Sequence, residues 1–133
     1  MQTTREVQAV FSDSEWTEQV YQETDGVKLT RVRFVNHYRG DVEGRSVTEL
    51  LMAYRLDGSV TSVGLERFEG KVLGRAGSFV VHCEGEYRDG VAESRGRLVR
   101  GTGTGELTSL QGEVLYRAQH APEHPVVFRL ALD

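Results

Sequence analysis

The chain has 133 residues, 38% of them apolar and 27% charged, which is the balance of one folded domain over residues 1–133 and not of a disordered segment. Twenty acidic against sixteen basic side chains leave a net charge of −4. That balance excludes the concentrated basic face a nucleic-acid binder needs to displace counterions from phosphates. A single cysteine, Cys83, allows no internal disulfide, Met1–Glu6 lacks the apolar run of a signal peptide, and no stretch approaches the ~20 apolar residues of a membrane helix. The expectation is a cytoplasmic protein with no membrane partner.

In chain order, the first strand is predicted at Glu6–Phe11, followed by a short helical turn within Ser12–Gln22 that Ser12 or Asp13 would cap. Lys28–Tyr38 reads as a strand with Arg31 and Arg33 outward and Val32, Phe34, Asn36 and Tyr38 inward. Arg45–Arg55 is ambiguous. A three-residue loop, Leu56-Asp57-Gly58, turns Leu50, Met52 and Tyr54 inward, whereas a two-residue Asp57-Gly58 turn brings Glu49 inward opposite Glu66. Two adjacent buried carboxylates cannot both stay ionised, which favours the longer loop.

Val60–Val72 and Gly77–Tyr87 follow. Closing them through Leu73-Gly74-Arg75-Ala76 sets Phe68 by Val81, Glu66 by Cys83, Gly64 by Gly85 and Ser62 by Tyr87. The outer face then carries Thr61, Arg67 and Glu69, with Val63 and Leu65 as apolar exceptions. Asp89-Gly90 tolerates the positive φ of a two-residue type I′ turn, which pairs Arg88 with Val91 and so sets Cys83 against Gly96 and Gly85 against Ser94 in Val91–Arg100. The alternate rungs, Glu84 with Arg95 and His82 with Arg97, are charged, and a one-residue slip would mix the two sets.

Gly101-Thr-Gly-Thr-Gly lacks a P-loop lysine and a following helix start, and is read as a strand kink. The last strands are Gly112–Ala118, with Val114 and Tyr116 on one face, and Val126–Leu132, with Phe128, Leu130 and Leu132 opposite Arg129. His120 and His124 have the spacing of helical metal ligands, but Ala121-Pro122 interrupts any helix, so no metal is expected. Eight strands with mostly tight turns predict an all-β fold, a closed eight-stranded antiparallel β-barrel that leaves no exposed edge.

The chemistry-bearing constellation is Glu66 beside Cys83 among Ser62, Gly64, Gly85, Ser94 and Gly96. Small side chains on one wall would leave an internal cavity, and burial there disfavours the charged form of Glu66, the condition for acid–base work. Asn36, Tyr38, Tyr54, Tyr87 and Tyr116 could bond a ligand oxygen, with Met52, Phe68 and Ser94 completing the lining. Cys83 reads as a small hydrophobe, since no inward His or Lys stands beside it to lower its pKa.

Tyr38-Arg-Gly-Asp-Val-Glu-Gly44, Leu50-Leu-Met-Ala-Tyr54, Val63-Gly-Leu-Glu-Arg-Phe-Glu-Gly70, Gly77-Ser-Phe79 and the segment Gly101 to Gly112 together resemble the bacterial family called domain of unknown function 3224. The glycine–threonine segment also resembles that of allene oxide cyclases and dirigent proteins. The resemblance implies an allene-oxide-cyclase-like barrel around a central cavity that holds an apolar small molecule, often assembled as a dimer or trimer. Two functions fit. One is a cofactor-independent cyclase or isomerase with Glu66 as acid or base; the other is a lipocalin-like barrel that binds its ligand unchanged. A third reading is a structural or self-associating module acting through the barrel exterior, where Val63 and Leu65 on the outer face point to a homo-oligomer.

Overall fold

The structure, a computed structural model, describes residues 3–132. Met1 and Gln2, on which part of the amino-terminal reading fell, and the side chain of Leu132 lie outside the described residues. The chain is all-β: β1 (Thr3–Thr24), β2 (Val27–Gly40), β3 (Val42–Tyr54), β4 (Val60–Val72), β5 (Arg75–Arg88), β6 (Val91–Leu98), β7 (Gln111–Ala118) and β8 (His124–Leu132). Each strand pairs antiparallel with the next and β8 returns to β1, so the eight form a closed ring. Among the described residues no helix is long and apolar enough to cross a membrane.

Period-two alternation decides which side chains enter the ring. Val32, Asn36 and Tyr38 of β2 are buried while Arg31 and Arg33 are exposed. The β5–β6 hairpin has the expected register, Arg88 against Val91 and Cys83 against Gly96, with Asp89 at φ +53° and Gly90 at +80°. Leu56-Asp57-Gly58 is the three-residue loop: the Arg55 N–H donates to the Ser59 carbonyl at 2.9 Å, and Gly58 lies at φ +85°. Glu49 accordingly faces solvent, and Leu50, Met52 and Tyr54 turn inward.

Three expectations are corrected. The β4–β5 connection is a two-residue turn, Leu73-Gly74, pairing Val72 with Arg75, so Phe68 opposes Phe79 and Glu66 opposes Val81. Leu73 takes a left-handed φ of +50°, which a leucine seldom adopts and which the sequence gives no reason to expect. The two-residue offset preserves every face. Second, Ser12–Gln22 is strand: β1 runs through it with register shifts at Ser14/Thr17 and Val20/Gln22, and Glu15 at φ +56° absorbs the first. Past Phe11, β1 pairs with β2 alone. Third, Gly101–Gly105 leaves the sheet, since β6 ends at Leu98. A single 3-10 turn, Gly105–Leu107, then buries Leu107 completely against the core.

The interior has two unlike halves. One is filled by Phe68, Phe79 and Phe128 around Tyr38, with Phe68 and Phe79 centroids 4.9 Å apart. Burying each such ring contributes about 1.5–3 kcal/mol. Toward the other end the inward positions are small, Ser62, Ser94, Ala92 and Ala118, and leave space. Outside, Leu51, Val63 and Leu65 are exposed, with Leu51 directly opposite Val63.

Candidate functional site

The floor between the halves is a carboxylate held by neutral donors. Glu66 is 2% exposed. Its Oε2 accepts from the Tyr38 hydroxyl, from Ser46 at 2.5 Å and from Asn36 Nδ2 at 3.4 Å, while Tyr116 donates to Oε1 at 2.5 Å. Inward alternation on β2, β3, β4 and β7 brings these groups together. Four donors compensate the carboxylate for the water it gives up, which a buried charge without a cation requires.

Above this floor lies a pocket of about 390 Å³. Asn36, Thr48, Glu66, Cys83 and Tyr116 line its depth. Its walls include Phe11, Phe34, Leu50 and Met52, and toward solvent Trp16, Tyr54 and Tyr87. Trp16, the only tryptophan, stacks on Phe34 at 5.0 Å between centroids. Tyr54 donates to Glu18 at 2.5 Å, which anchors one lip, and Lys28 lies 4.3 Å above its ring.

Of the residues expected at the site, Glu66, Asn36, Met52, Tyr54, Cys83, Tyr87, Ser94 and Tyr116 line the pocket. Tyr38 and Phe68 do not. Tyr38 lies beneath Glu66 as a fully packed donor, and Phe68 belongs to the aromatic filling, 5.6 Å from the Tyr38 ring. Cys83 is paired with Gly64, not with Glu66. The glycines are not the open wall they suggest: a Cβ on Gly96 would stand 2.4 Å from Val81 and 3.3 Å from the Tyr116 ring, so Gly96 exists to let that ring lie across β6. The sequence reading missed Thr48, which parity with Leu50 and Met52 could have supplied, and Trp16, hidden in the segment read as helical. His124 is buried against Phe11 and 3.8 Å from Asp13, while His120 is exposed.

Burial and the nearby Glu66 charge push the Cys83 thiol up to about 12, so it stays protonated at neutral pH and is no nucleophile. Burial and the same charge hold Tyr38 and Tyr116 well above the usual phenol range. Burial and the bond to Glu18 raise Tyr54 to about 12. All four groups therefore bind their protons more tightly folded than unfolded. Stability is fully present below the unfolded thiol and phenol values, about 8.5 and 10, and declines as pH rises toward 12. Urea midpoints at pH 8, 10 and 11 are expected to fall progressively, and a flat series counts against this assignment.

A family model described as "Protein of unknown function (DUF3224)" matches residues 7–130. The chain is also similar to the crystal structure of a protein with unknown function from the DUF3224 family of Shewanella oneidensis MR-1. The TM-score is 0.78 at 27% identity, over 100% of this chain and 99% of that one. No curated protein matches.

Proposed function

The chain belongs to the DUF3224 family, and from that premise and the pocket we propose that it is a barrel that binds a small apolar molecule in an internal cavity. The carrying observation is the pocket itself. Its 390 Å³ falls within the roughly 300–1,000 Å³ range of small-molecule sites, and aromatic and aliphatic walls close on a few converging polar groups. Small inward residues, Ser62, Ser94, Ala92 and Ala118, give the cavity its volume above the packed aromatic half. A single chain's exposed Leu51, Val63 and Leu65 favour a homo-oligomer around this unit.

The neutral probe N-phenyl-1-naphthylamine is expected to gain fluorescence on binding. Ser62→Leu, which adds bulk at the pocket wall, should weaken it by about tenfold. Undiminished affinity in Ser62→Leu places the probe elsewhere and overturns the reading. Gly96→Leu cannot serve as this test, because it would displace Val81 and Tyr116 before reaching the pocket.

One observation favours a second reading, a cyclase or isomerase. The Tyr116 hydroxyl and Glu66 both line the pocket and are joined at 2.5 Å, so the phenol oxygen can take a substrate proton as its own passes to the carboxylate. Against a role for Glu66 as the group that touches substrate, its oxygens already take four donors from its own chain.

A further inference from the structure

We infer that the pocket takes an apolar molecule whose buried end is an uncharged hydroxyl, an alcohol or phenol, and discriminates against the matching carboxylate. The inference deepens the ligand-binding reading and rests on it.

The first observation is a pair of unpaired oxygens. Asn36 and Thr48 are 4% and 3% exposed, both line the pocket, and Asn36 Oδ1 and Thr48 Oγ1 are buried without hydrogen-bond partners. They stand on neighbouring strands, Asn36 across from Ser46 and Thr48 two residues further on, so their side chains are diagonal neighbours on one wall. Buried polar atoms are ordinarily satisfied, so two unpaired oxygens lining one pocket call for a polar partner within it.

The chemistry of that complement follows from the carboxylate. Glu66 is an acceptor, so the Asn36 amide must turn its Nδ2 toward it, as the 3.4 Å contact shows. The amide oxygen is then committed to the opposite side, where only a donor can satisfy it. Thr48 can donate or accept. One ligand hydroxyl meets both demands, giving its proton to Asn36 Oδ1 and taking one from Thr48.

Charge excludes the alternative. The ionisable acids lining the pocket are Asp13, Glu66 and Glu86, and among the described residues no Lys, Arg or His lines it. Arg55 lies outside, bonded to Ser59 and Glu86, and Lys28 covers the outer ring of Tyr54. A carboxylate head would meet an amide oxygen and a fixed anion with no cation to offset them. An ammonium head would give up its water for a Glu66 already supplied with four donors, and could not accept from Thr48.

Competition against bound N-phenyl-1-naphthylamine at neutral pH with 1-decanol, decanoate and decylamine separates the cases. Decanol is expected to displace the probe with an affinity about tenfold or more above that of either charged analogue. In Thr48→Val the preference for decanol over decanoate should shrink to about threefold or less. Decanoate or decylamine binding as tightly as decanol, no displacement by decanol, or an unchanged preference in Thr48→Val overturns the inference while the probe still reports an occupied pocket. Failure of the probe itself to bind overturns the parent reading and this inference together.

Discussion

Glu66→Leu is expected to cost about 3–5 kcal/mol of folding stability, read as a lower urea midpoint at unchanged slope. The substitution keeps the volume and removes the acceptor. Tyr38, Ser46 and Asn36 are buried, and all three donate to the same carboxylate oxygen. Each buried donor left without a partner costs about 1–3 kcal/mol, partly offset because Leu needs no water and Ser46 can re-pair locally. Glu66→Gln should be milder, since the amide oxygen can keep those donors while its nitrogen faces Tyr116, with only charge assistance lost. Adding Tyr38→Phe to Glu66→Leu should recover about 1 kcal/mol, because one stranded hydroxyl disappears. A Glu66→Leu variant within about 1 kcal/mol of the parent would mean that the carboxylate is not the centre of this network.

Phe68→Ala should lose about 3–5 kcal/mol, while Met52→Ala should lose markedly less. Both side chains point into the ring, one from β4 and one from β3. Phe68 is 2% exposed, 4.9 Å from Phe79 and edge-on to Tyr38 at 5.6 Å, so truncation opens a void that neighbouring aromatic rings cannot close. Met52 borders a space that already exists, and its removal mainly enlarges that space. Equal losses in thermal or urea unfolding would contradict the division of the interior into a filled half and a hollow half.

That division was only partly legible in the residues. Parity was readable because a strand's period is two: Arg31 and Arg33 against Asn36 and Tyr38, or Glu84 and Arg95 against Cys83 and Gly96, separate into faces without knowledge of the neighbours. Position along the axis was not. Tyr38 and Tyr54 both face inward, yet one supports the floor and the other forms a lip, and the distinction depends on the stagger between strands. The stagger in turn depends on turns such as Leu73-Gly74, where a bulky residue takes a backbone conformation its side chain does not advertise. β1 was obscured for a related reason: its bulges at Ser14/Thr17 and Val20/Gln22 break the alternation by which a strand is recognised, and Trp16 was missed with it.

The same strand has a consequence for traffic. From Ser12 onward one side of β1 has no ladder partner, because β8 begins only at His124 opposite Phe11 and β7 stops at Ala118. Trp16, on this singly paired stretch, lines the pocket. For a ligand bound as proposed, exchange on this side would cross no β1–β8 backbone hydrogen bond, because that pairing ends at Phe11 and His124.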